Sequence, residues 1–102
     1  MSSQFGNKIR TLREEQNLLL RQVAPILEMD TAQLSKIERG ERQAKKETVL
    51  KIASILKVEE KELITLWLAD QIYDVVKDDE NAIQAMMVAE EKVEYLKSHK
   101  TK

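Results

Sequence analysis

The sequence predicts an all-α protein, and three observations carry that prediction. Apolar residues recur at helical spacing through almost all of its 102 residues. Strict polar–apolar alternation nowhere persists long enough to propose a strand. Two glycines, one proline and 4% aromatics are too few for the turns and strands of a sandwich or barrel. With 42% hydrophobic and 34% charged residues the chain is globular in composition. Its length suits one small domain with a short appendage.

The elements follow in order. Phe5, Ile9 and Leu12 lie on one face of a first helix. Val23, Ala24 and Leu27 mark a short second helix, and Leu34 and Ile37 a third. Asp30 stands where it can cap the third helix, and Gly40 where a C-cap favours a residue that tolerates positive φ. Val49, Ile52, Ala53 and Leu56 give the fourth helix, opened by Glu47 and Thr48. Leu63, Leu66, Trp67 and Tyr73 give a fifth that runs on to Val76. A sixth covers about 80–97, opened by Asp78, Asp79 and Glu80, whose charge suits the positive end of a helix dipole.

Composition excludes several function classes. There is no cysteine, so neither a disulfide framework nor a cysteine zinc site. His99 is the only histidine, which leaves no His-dependent triad or His-rich metal site. The acidic run 78–80 lacks the spacing and glycine of a calcium loop. No nucleophile–base pair or phosphate-cradling glycine loop is visible, so neither an enzyme nor a cofactor is expected. The longest apolar stretch, 63–69, is far shorter than the roughly 20 residues that span a bilayer. No signal-peptide pattern opens the chain, and a soluble cytoplasmic protein is expected.

The net charge of −1 hides an uneven distribution. Residues 36–46 carry five cations (Lys36, Arg39, Arg42, Lys45, Lys46) against Glu38 and Glu41. Residues 70–94 carry two cations against eight acids. A polyanion would be held by the first segment and repelled by the second.

Residues 18–40, LLLRQVAPILEMDTAQLSKIERG, place two short helices about a tight connection near 28–30. Ala24 lets them approach, and Leu27, Leu34 and Ile37 supply their shared core. This is the geometry of a helix-turn-helix, whose second member lies in the DNA major groove. The frame FGNKIRTLREEQN (5–17), the segment above, and ERQAKKETVLKIASILKVEEKEL (41–63) resemble the phage-repressor (Cro-type, XRE) helix-turn-helix family. The resemblance covers about residues 5–66; LSKIERGER (34–42) followed by ETVLKIASIL (47–56) is its most specific part.

The resemblance implies a five-helix repressor-like domain over 4–68 and roles for matching positions. Thr31, Ala32, Gln33 and Lys36 occupy the base-reading positions of the recognition helix. Gln can pair with adenine, Lys with guanine O6 and N7, and the Thr and Ala methyls can touch thymine. Arg39, Arg42, Lys45 and Lys46 match the loop that runs along phosphates, which positions the protein without specifying sequence. Arg13 and Glu38 match a family ion pair tying the first helix to the third. The chain departs from the family at the second helix. Leu19 and Leu20 replace a frequent Ser-Gln pair, leaving Arg21 or Gln22 to supply the cap and phosphate contact. Pro25 falls inside the helix, and Glu28 replaces the usual turn glycine.

Beyond the domain, 69–98 reads as a helical extension and 99–102 as a disordered tail. The fifth helix carries a second apolar stripe: Ile64, Leu68, Ile72 and Val75 or Val76. In the sixth, Ala82, Met86, Ala89, Val93 and Leu96 recur at 4-3-4-3 spacing, broadened by Ile83 and Met87. This seam either folds back on helix five or pairs with a second chain. Pairing suits two recognition helices set about 34 Å apart on a near-palindromic site. Leu68, Ile72, Val76, Met86, Ala89, Val93 and Leu96 are the dimerisation candidates.

The function expected is a homodimeric, sequence-specific regulator on double-stranded DNA, with no membrane partner. The family's small members include phage repressors, controller proteins of restriction–modification systems, and antitoxins. The acidic helical extension favours a controller. An antitoxin-type autorepressor, or an interaction module binding a toxin or other protein through the C-terminal helix, is the alternative.

Overall fold

The apolar spacing becomes a set of packed helices in a computed structural model that describes residues 3–100. In order they are α1 (Gln4–Glu15), α2 (Leu20–Val23), α3 (Thr31–Glu38), α4 (Lys46–Leu56), α5 (Glu60–Val76) and α6 (Ala82–Lys100), with no strand among the described residues. The residues fall into two compact units that divide between Asp70 and Gln71.

In the first unit the apolar stripes meet in one core. Phe5 and Ile9 of α1, Leu34 and Ile37 of α3, Val49, Ile52 and Leu56 of α4, and Leu63 of α5 are buried. Full burial of Ile9, Leu34, Ile52 and Leu63 contributes about 1.5–3 kcal/mol each. Ala24 is wholly buried beside Val23 and Leu27, so a small side chain stands where the second segment meets the core. Ile64, expected on the outer stripe of α5, packs against this core with Leu66 and Trp67. Tyr73, expected on the core stripe, is instead exposed.

Helix ends carry the local chemistry. Ser3 Oγ accepts from Gly6 N at 2.8 Å and donates to Asp70 Oδ2 at 2.6 Å. Asp70 also accepts the backbone amides of Gln4 and Phe5, at 3.2 and 3.0 Å. A carboxylate from α5 therefore serves the free N–H groups that open α1, at the end where negative charge is favoured. Gly40 takes φ 78°, the left-handed conformation expected of the residue that ends α3.

Pro25 is accommodated by a change of helix type. After α2 the chain tightens into a 3₁₀ turn at Ala24–Leu27, with proline in the first turn of that segment. There its missing N–H removes no helical bond.

The second unit holds the end of α5 and α6. The sixth helix begins at Ala82, later than the expected start near Glu80, after a turn in which Asp79 Oδ1 accepts from Asn81 N at 2.8 Å. It continues to Lys100, so His99 lies in a helix rather than in the tail expected over 99–102. There His99 stacks on Tyr95 with ring centroids 4.0 Å apart. Thr101 and Lys102 lie outside the described residues.

Candidate nucleic-acid interface

The third helix is built to show one face. Leu34, Ile37 and Glu38 are buried, while Thr31, Ala32, Lys36 and Arg39 are exposed and Gln33 is half-buried. Ala32, Lys36 and Arg39 recur at i, i+4, i+7, so they share the outer stripe. Asp30 Oδ1 accepts from Gln33 N at 2.8 Å and fixes where the helix begins. An α-helix about 10–12 Å across matches the roughly 12 Å major groove.

The turn into α3 uses Glu28 where glycine is usual. Its φ of 58° and ψ of 41° are left-handed, the strained conformation a non-glycine residue takes only when its surroundings require it. Glu28 N and Met29 N donate to the carbonyls of Pro25 and Ala24 at 3.0 and 3.1 Å, closing the turn.

At the start of α2, Leu19 has no polar side chain. Gln22 reaches back, and its Oε1 accepts from Leu19 N at 2.7 Å. This is the reciprocal half of a capping box. Gln22 thus supplies the cap that Leu19 lacks, and its amide nitrogen remains the group with which it could meet a phosphate. Arg21 is exposed beside it.

Arg13 and Glu38 meet in the interior. Arg13 Nε donates to Glu38 Oε2 at 2.7 Å and Nη2 to Oε1 at 3.0 Å, a bidentate pair. Nη1 donates to the Leu18 carbonyl at 2.8 Å. The hydrogen bond to Glu38 outweighs desolvation and raises the Arg13 pKa. The pair joins α1, the loop before α2 and the end of α3, and so holds the end of α3 against the rest of the domain.

The loop after α3 carries Arg42 and Lys45 on the surface, with Ala44 buried between them, and Lys46 is exposed at the first position of α4. Trp67 Nε1 donates to the Ala44 carbonyl at 2.7 Å. This tether anchors the loop to α5; nothing in the local spacing announced it. Arg39, at the start of the loop, is engaged by Glu41 and Ser35.

The extension residues lie elsewhere. Leu68 and Ile72 on α5, and Val93 and Leu96 on α6, are exposed, as is Ala89; Val76 and Met86 are half-buried. Among the described residues no cluster of three or more His, Asp or Glu could hold a metal, and no helix is long and apolar enough to cross a membrane.

A helix-turn-helix family model matches residues 9–63, more than half of the chain. Among solved structures the chain is similar to the restriction–modification controller protein C.AhdI from Aeromonas hydrophila. The two are 31% identical, the match covers 60% of this chain and 88% of that one, and the TM-score is 0.55. No curated protein matches the chain. Fold and site together define a DNA-binding transcription regulator. The chain belongs to the XRE-type helix-turn-helix family.

Proposed function

We propose that this chain is a cytoplasmic, non-enzymatic regulator that binds a near-palindromic operator as a homodimer and controls a restriction–modification or similar system. The observation that carries the reading is the outer face of α3. Its exposed Thr31, Ala32 and Lys36, with half-buried Gln33 at the edge, stand directly before a tethered loop bearing Arg42 and Lys45 and leading to Lys46 at the start of α4. In this reading the helix residues read base edges in the major groove and the loop cations hold phosphates. The similarity to C.AhdI supports the controller role. Exposed Leu68, Ile72, Val93 and Leu96 support association through the extension.

Selection of bound duplexes from a random pool, with the mass measured in the same buffer, tests this. A two-fold symmetric site with half-sites about one helical turn apart, bound by a dimer, is expected. No enrichment, with a stable protein complex instead, favours the second reading. In that reading the exposed apolar face of α6 binds another protein, such as a toxin.

A further inference from the structure

Arg39 closes α3, where the chain turns through Gly40 into the basic loop. Its guanidinium is already occupied. Nε donates to Glu41 Oε2 at 2.9 Å, Nη2 to Glu41 Oε1 at 3.2 Å, and Nη1 to Ser35 Oγ one helical turn back. Two parallel N–H groups on two oxygens is also the fork with which arginine takes a phosphodiester. Both side chains are about half exposed, 49% for Arg39 and 55% for Glu41. Such a pair is screened by salt and exchanges readily. The hydrogen bond from Arg39 holds the Glu41 carboxyl below its ordinary range, the direction expected of a carboxylate paired with a guanidinium.

We propose that Glu41 is a built-in competitor for the DNA phosphate at Arg39, a positioning residue that attenuates sequence-independent binding. The proposal rests on the DNA-binding reading above. In the free protein the carboxylate neutralises Arg39 and holds it against Ser35. On the duplex a phosphate must displace the carboxylate, and Glu41 is then left close to the polyanion. Arg39 therefore adds less to affinity than its place in the basic loop suggests.

The test is binding of a short mixed-sequence duplex by the full chain, as wild type, E41Q, R39Q and the double variant. Both substituted side chains are on the surface, and circular dichroism checks that each variant is folded. E41Q is expected to bind several-fold more tightly at low salt. Its loss of affinity between about 50 and 200 mM salt should deepen by about 3.5-fold, the factor for one more neutralised phosphate. Beside R39Q, the same substitution should leave the salt slope unchanged. An equal effect in both backgrounds overturns the proposal, because Glu41 would then act by its own charge. Weaker or unchanged binding by E41Q, with steep salt dependence in the wild type, also overturns it while leaving the DNA-binding reading intact. Folded wild type and variants that all fail to bind at low salt overturn both.

Discussion

Gly6 of α1 and Glu38 of α3 approach so closely that no side chain fits between them. A Cβ on Gly6 would stand 2.3 Å from the Glu38 carbonyl oxygen, and 2.8 Å from that of Ile37. Gly6→Ala should gain about 1 kcal/mol of helix propensity yet force the two helices apart. The net result expected is a loss of about 2–3 kcal/mol, read as a lower urea midpoint. A stabilised variant would mean that the helices separate freely at this point.

The same end of α3 is held by Arg13. Glu38→Gln leaves a buried guanidinium without its counter-charge and should cost about 3–5 kcal/mol. Replacing Arg13 and Glu38 together with apolar residues of similar volume should recover most of that stability. Duplex binding by the double variant then shows whether the pair also aims the recognition helix. A Glu38→Gln variant as stable as the wild type would make the pair dispensable.

Much of the core was legible in the sequence because helical periodicity reports burial directly. Ile9, Leu34, Ile52 and Leu56 lie inside, as their spacing requires. Asp30 and Gly40 were legible too, since capping is a local matter. Gly6 was not: a glycine within a helix reads only as a weak helix former, and the helix that crosses it lies 32 residues away. Asp70 capping Ser3, 67 residues distant, is hidden for the same reason. Tyr73 shows another limit. Periodicity says which residues share a face, but not where along a helix that face stops being covered. The positions of the basic loop were visible in the sequence, whereas the pairing of Arg39 with Glu41 depends on a bend that periodicity does not encode.

Glu28 offers a gain. Left-handed backbone costs a non-glycine residue about 1–2 kcal/mol, and part of this is offset because glycine frees the unfolded chain. Glu28→Gly should raise stability by about 0.5–1 kcal/mol, measured by urea or thermal unfolding. A drop in stability would show that the glutamate side chain contributes more than the strain removes.

The base-reading and phosphate-holding roles separate by their signatures. Gln33→Ala should weaken selected-site binding by roughly 1–3 kcal/mol at one base position and spare mixed-sequence DNA. Lys46→Ala should weaken all duplexes alike and lower the salt slope by about one. Equal losses on both kinds of DNA for Gln33→Ala would remove its base-reading role. Unchanged affinity for Lys46→Ala would make that lysine a solvated bystander.

Association through the extension is tested by placing charge on its apolar face. Val93→Glu with Leu96→Glu should convert a dimer to a monomer in sedimentation equilibrium while the helical dichroism persists. Persistence of the dimer would move the contact to α5 or to the first unit.

The bond from Trp67 to the Ala44 carbonyl has an optical consequence. The chain contains one tryptophan, and its indole is fastened to the backbone of the loop expected to meet phosphates. Any shift of that loop alters the polarity around a single fluorophore. The unlabelled protein therefore carries its own emission signal for loop movement, and titration with duplex can be followed by that signal without attaching a dye to either partner.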